Sequence, residues 1–357
     1  MPDSAGRRPG PGDAGSAGAD LQVVAFDPDP DRLVYTFGGV EPAVRIAPGT
    51  IVKVFTEDCF AGRIRGVDDL FTNCVEAPYI NPQTGPFEIA GAEPGDTLAV
   101  HFVDISPARD WAVSTTVPLF GALTATTYTQ TLQEPLPERT WLYTVDRNGQ
   151  VVTFHALDSD VAVDLPLTPF HGTVGVAPKA FEVRNTLVPE AFGGNMDTPE
   201  MRSGTTLYLG VNVPGAMLSL GDGHYTMGEG EACGVAVEGA MNTVFTVEVI
   251  KGLYCPWPRL EDDDHLMVAG SWRPLDDAFR IAHAEMVRWV AGDTGLSLMD
   301  AYQLVSQTAR SPVANMCDTN YTVVAKVPKR LMPRDIPWMN DAHGILRRRA
   351  RAYLASR

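Results

Sequence analysis

Residues 243–249, TVFTVEV, decide the fold class. All but Glu248 are β-branched or aromatic, the run is too short for a typical helix, and Gly252 closes it. The same composition recurs at 50–55 (TIVKVF), 97–103 (TLAVHFV) and 205–211 (TTLYLGV), each next to Gly, Pro or Asp. Between Leu21 and Gly252 no 3.6-residue apolar period is sustained, which points to a β-sandwich or barrel and away from βαβ units.

Beyond residue 252 the pattern changes. The Cys255-Pro256-Trp257-Pro258 segment and the acidic run Glu261–Asp264, read as a solvated face, precede Pro274, which suits a first helical position. Leu275, Phe279, Ala282, Met286 and Val290 then recur at helical spacing, with Asp276 and Asp277 in the first turn where the helix dipole favours them. Gly295 is a stop signal, and Ser297 with Asp300 three residues on resembles a capping box opening a second helix. Residues 320–327 (NYTVVAKV) read as a strand returning to a sheet. The expectation is a disordered tail over 1–20, a β-rich catalytic region over 21–252, a smaller α+β part over 253–330 packed on it, and a basic tail over 331–357. With Arg347, Arg348, Arg349 and Arg351 clustered, that last tail either docks on acidic protein surface, its own or a neighbour's, or forms an exposed helix.

Composition narrows the function classes. At 357 residues with 45% hydrophobic and 20% charged, the chain can build a large core without staples. A net charge of -16 opposes nonspecific binding to nucleic acid or anionic lipid, and no apolar run is long enough to span a bilayer. Cys59, Cys74, Cys233, Cys255 and Cys317 are odd in number and widely spaced, which suits free thiols and a cytoplasmic protein. Arg7-Arg8 precede no apolar segment, so no export signal is expected there.

The residues able to carry chemistry fall in GGNMD (193–197), GDGH (221–224) and GEGEACG (228–234). Asn195 with Asp197, Asp222 with His224, and Glu229 with Glu231 are each two apart, so in extended chain each pair projects to one face. Carboxylate, carboxamide and imidazole donors together suit a hard or borderline divalent cation such as zinc. The glycines, Gly223 among them, would let a small substrate approach the main chain. The same residues also serve glycine-rich hairpin turns, and spacing does not separate the two readings. For a hydrolase, Glu231 is the preferred proton carrier and Glu229 the alternative. Cys233, two residues on, would border the substrate or act as a rival nucleophile, although Lys179 and Lys251 are the nearest lysines.

PGAMLSLGDGHYTMGEGEACGVAVE (214–238) resembles the signature block of the acetamidase/formamidase family, and so does GGNMD. The segments 81–86 (NPQTGP), 91–96 (GAEPGD), 171–178 (HGTVGVAP), 275–289 and 300–307 (DAYQLVSQ) are similar to the family's as well, over roughly residues 30–330. The resemblance implies a mainly β fold with a smaller α-containing part, homo-oligomers, and hydrolysis of short aliphatic amides to carboxylate and ammonia, with lactams opened by some relatives. It also implies a divalent metal, zinc with calcium as a second ion, and matches the motifs at Asn195, Asp197, Asp222, His224 and Glu231. Asp58 falls where the family has an acidic residue after an early strand, and is either a ligand or a turn aspartate. Tyr225-Thr226-Met227, Glu229, Cys59 and His171 depart from the pattern around the expected pocket. The remaining histidines read as structural, and Trp111, Phe120, Tyr128 and Trp141 as core or pocket wall.

Overall fold

The computed structural model describes residues 21–124 and 134–357. The tail 1–20 and Tyr128 fall outside them. The strands that carry the argument are β1 (Ile51–Thr56), β2 (Gln83–Ile89), β3 (Thr97–Pro107), β4 (Trp111–Thr116), β5 (Phe170–Gly175), β6 (Gly193–Asn195), β7 (Thr206–Gly210), β8 (Leu218–Thr226), β9 (Val237–Glu238), β10 (Met241–Ile250), β11 (Arg259–Glu261), β12 (His265–Trp272) and β13 (Tyr321–Pro328). The helices that carry the argument are α1 (Leu275–Thr294), α2 (Leu298–Thr308) and α3 (Ala342–Ala355).

Two large sheets form. The nine-stranded sheet runs from Val23–Phe26 through β1, β10, β3, β7, β11, β12 and β13 to Val313–Asn315. The ten-stranded sheet runs from Ala162–Pro166 through Val151–His155, Arg139–Asp146, β4, β9, β8 and β5 to β6, with β2 on the flank of β8. Leu98, Val100, Phe102 and Phe245 of the first sheet meet Phe87, Val174 and Leu220 of the second in one core. This is a mainly β sandwich, as expected.

The helices cover the outer face of the nine-stranded sheet. Ala282, Met286, Trp289 and Val290 of α1 pack with Leu266 and Val268 of β12 and Ala325 and Val327 of β13. Buried on both faces, β3 shows why residues 97–103 read as nearly continuous apolar chain: Leu98, Val100 and Phe102 face the sandwich, and Ala99 faces the helical layer. The strand expected at 320–327 forms and pairs with β12, joining the C-terminal part to the same sheet.

Two local details differ from the sequence reading. Pro274 is the extended N-cap of α1, one position before the helix, and Phe279 faces outward at 46% exposure. The stop and restart hold: Gly295 is left-handed with its N–H on the Ala291 carbonyl, and the Ser297 hydroxyl accepts from the Asp300 N–H. The basic segment forms α3 and docks on its own chain, burying Leu346, Ala350 and Tyr353, with Arg349 at 3.2 Å from Glu248 and Arg347 paired with Asp263.

Candidate active site

Asn195, Asp222 and His224 lie on nearby strands of the ten-stranded sheet, and Asp197 and Glu231 in the segments that follow them. β5 sits between β6 and β8 and pairs antiparallel with each, bringing Asn195 opposite Thr173 and Gly223 opposite His171. Gly172 lies at the centre of β5. A Cβ there would collide with the Asp197 and Asp222 carboxyls and the His224 ring, so only glycine leaves room for the three to meet.

His224 is the hub. Its Nε2 lies 3.4 Å from Asp222 Oδ1, 3.4 Å from Glu238 Oε1 and 3.9 Å from Asp197 Oδ1. Among the described residues three overlapping sets each offer one ligand atom per residue within 4.8 Å of one another: Asp197, Asp222 and His224; His224, Glu231 and Glu238; and Cys59, Asp222 and Glu238. Asn195 lies behind them, donating to Asp197 Oδ2 at 2.9 Å and Asp318 Oδ2 at 2.7 Å, and accepting from Asn81 at 2.9 Å. Asn315 donates to the same two carboxyls, at 2.9 and 2.8 Å.

Asp197, Asp222, Glu231, Glu238 and Asp318 are all buried, and His224 is the one basic side chain paired with any of them among the described residues. Burial, reinforced by neighbouring carboxyls, lifts Asp197 and Glu238 well above the carboxylate range. Burial raises Glu231 to about 8 and Asp318 to about 7. Burial pushes Asp222 the same way, but the adjoining His224 outweighs it and holds that carboxyl below its usual value. Burial works against the His224 charge in turn, and Asp222 outweighs it, raising the imidazole.

The donors fit a divalent cation. Asp197 Oδ1, His224 Nδ1 and Glu238 Oε2 are buried without a hydrogen-bond partner, a costly arrangement unless something else satisfies them. Asp197, Asp222 and Glu231 also have left-handed backbones, φ 46°, 56° and 44°. That conformation is uncommon outside glycine and clusters at functional sites. At Glu231 it breaks the i, i+2 geometry assumed for extended chain, whereas Asp222 and His224 still project to one side of β8.

Above the cluster lies a cavity of about 160 Å³ walled by Phe60, Phe71, Ile80, Val117, Phe120 and Leu187, with Asn195, Asp222, His224 and Glu231 on its polar side.

Four expectations need correction. Asp58 takes the turn alternative: Oδ1 accepts from the N–H groups of Phe60 at 3.0 Å and Gly62 at 2.9 Å, Oδ2 pairs with Arg109 at 2.9 Å, and Asp58 belongs to none of the three ligand sets. Glu229 is exposed and apart from the cavity, because the left-handed Glu231 breaks the extended pairing. Gly223 faces the opposite side, where a Cβ would meet Met241, as expected for the residue between two that face the cavity. Cys233 lies in an exposed turn with its Sγ on the Val235 carbonyl at 3.1 Å, and Lys251 is held by Asp96, so no Cys-Lys-Glu constellation forms there.

Glu238, Asp318 and Asn315 were not singled out from sequence. Glu238 ends the 214–238 block and was within reach; Asn315 ends the edge strand Val313–Asn315 and Asp318 follows it, both brought in by tertiary structure alone. Trp111 and Trp141 stand outside the cavity wall, and Phe120 is in it.

Known proteins share this arrangement of chain. The acetamidase of Yersinia enterocolitica is 36% identical with a TM-score of 0.82, over 89% of this chain and 95% of that one. The acetamidase of Bacillus halodurans is 30% identical with a TM-score of 0.75, over 86% and 97%. The acetamidase of Mycolicibacterium smegmatis is 25% identical over 271 residues, 60% of this chain and 64% of the relative. The chain spans little over three fifths of the length of the curated relatives it matches. A model of the acetamidase/formamidase family matches residues 37–181 and 172–258, the stretch that contains β5, β6 and β8 and every motif residue of the cluster. The chain therefore belongs to the acetamidase/formamidase family.

Proposed function

We propose that this protein hydrolyses the C–N bond of a small primary amide, giving a carboxylate and ammonia, at the cluster around His224. The observation that carries the reading is a buried set of five carboxyls with one imidazole, open to an apolar cavity. Asp197, Asp222 and His224 would hold a divalent cation, for which zinc suits the mixed donor set and calcium, as a second ion, the surplus carboxyl oxygens. When bound, such a cation would supply Lewis-acid polarisation of the carbonyl and a more acidic water.

The chain's own groups do the rest. Glu231 borders the cavity, and burial raises its carboxyl in the metal-free chain; in the reaction it accepts a proton from the attacking water and delivers it to the departing nitrogen. Asn195 keeps Asp197 and Asp318 in register by donating to both. The wall from Phe60 to Leu187 excludes water from the acyl side.

In Glu231→Gln, ammonia release should fall by roughly 10²–10⁴-fold with the metal content unchanged. Full activity in that variant would remove Glu231 from the mechanism. If the wild-type protein bound no metal and released no ammonia from any amide, a noncatalytic ligand-binding role would replace the hydrolase reading.

A second reading, a larger amide or a lactam, is favoured by the size of the cavity. A hydrophobic cavity of about 150 Å³ admits benzene, whereas formamide or acetamide would leave much of this one empty. Each methylene buried on the apolar wall should raise kcat/KM roughly fourfold, so a panel of formamide, acetamide, isobutyramide and a small lactam separates the readings. A maximum at formamide would exclude the larger substrate.

A further inference from the structure

Cys59 departs from the pattern of the family it otherwise resembles, and the reaction outlined above gives it no task. It is a free thiol, 8% exposed, on the cavity wall. Its position is fixed from both sides. Asp58 accepts the N–H groups of Phe60 and Gly62 and pins the turn that follows β1, and the Cys59 carbonyl takes the Asn81 N–H at 2.8 Å. The turn carries the sulfur to Asp222 and Glu238, and the three ligand atoms lie within 4.8 Å of one another. Glu238 is 2% exposed, and its Oε2 has no hydrogen-bond partner. That buried, unsatisfied oxygen is the independent sign that something binds between these side chains.

We propose that Cys59 is a thiolate ligand, which with Asp222 and Glu238 completes a cation position at the edge of the cluster and biases it toward borderline-soft ions of the zinc class over calcium or magnesium. The inference rests on the reading that the cluster holds a divalent cation, and extends it to a sulfur donor that a carboxylate–imidazole site lacks. Softness is the physical ground: thiolate selects zinc and its congeners, whereas sites built from oxygen alone suit the harder ions. The thiol gives up its proton to solvent as the S–metal bond forms, so one proton is released and no electron is transferred.

Cobalt(II) is the probe, added to the full chain after chelation and removal of the chelator. The wild-type protein should bind cobalt and show the near-ultraviolet thiolate-to-cobalt charge-transfer band. That band should vanish in Cys59→Ser with cobalt still bound. It should persist in Cys317→Ser, whose thiol lies 3.5 Å from Glu231. Zinc affinity should fall by roughly tenfold or more in Cys59→Ser, with calcium affinity unchanged. Bound cobalt without the band in the wild-type protein overturns the proposal whether or not any variant folds, while leaving the cation reading in place. A band indifferent to Cys59→Ser in a protein of native far-ultraviolet circular dichroism overturns it too. Failure of the wild-type chain to bind cobalt or zinc at all overturns the cation reading, and this proposal with it.

Discussion

Gly172 shows how much of the site depends on an atom that is not there. Its backbone needs no special freedom, yet a methyl group would occupy the space where Asp197, Asp222 and His224 meet. Gly172→Ala should keep the sandwich folded while displacing these side chains by a fraction of an ångström or more. Such a displacement costs roughly 100-fold in turnover when it shifts reacting groups, and an ammonia assay beside circular dichroism would read the two effects separately. Full activity would mean that the cluster is looser than its packing implies. At this scale the sequence was only partly legible. Asp222, His224 and Glu231 stood out because paired polar residues two apart among glycines suit a shared cleft, and because they match the motifs of the family the block resembles. Glu229 stayed open as the alternative to Glu231, since nothing local announces that Glu231 turns left-handed. Asp58 carried two readings until its oxygens were seen to be taken by Phe60, Gly62 and Arg109.

Among the elements, α3 most repays testing. A cluster of arginines at the C-terminal end permitted several outcomes, because charge pattern does not say which surface receives it. The apolar residues between the arginines decide the matter: Leu346 is fully buried against the helical layer, and Ala350 and Tyr353 lie beside Ile51, Val103 and Val244. Leu346→Ala should destabilise the protein by about 3 kcal/mol, the usual cost of emptying a buried leucine site, measured as a shifted urea midpoint. An effect under about 0.5 kcal/mol, the range of surface substitutions, would mean that α3 does not dock as described. Strands were easier to read than helix ends, since alternation and β-branching extend along whole segments. The exact start of α1 depended on whether Pro274 lay inside the helix or capped it.

Across the whole molecule, buried titratable groups oppose one another. Burial holds His101 down to about 3 and His171 to about 4. Below the ordinary imidazole pKa of about 6.5 the unfolded chain binds protons that the folded chain refuses, so their contribution is full above that pH and is lost as the pH falls toward 3–4. Glu231 and Asp318 behave oppositely. Their folded values of about 8 and about 7 exceed the unfolded ones, so the folded chain keeps protons that the unfolded chain has released, and stability declines as the pH rises from about 5 to 8. His224, raised by Asp222, acts in the same direction. The metal-free protein should therefore have its highest melting temperature in the mildly acidic range and lose stability toward pH 8. A saturating divalent cation should abolish that alkaline loss. Calorimetry with and without chelator would check it, and a flat metal-free profile between pH 6 and 8 would contradict the crowding of carboxyls described for the cluster.

The left-handed backbones at Asp197 and Asp222 bear on how this chain would respond to selection. Asparagine tolerates that conformation at least as well as aspartate does: at Asp197, where burial and neighbouring carboxyls penalise the charge, the amide would remove that penalty, whereas at Asp222 it would take away the carboxylate that His224 favours. A library screened for heat tolerance alone should thus accumulate the amide at position 197 and return sturdier, silent proteins, which makes Asp197 a standing trace of selection for work rather than for endurance.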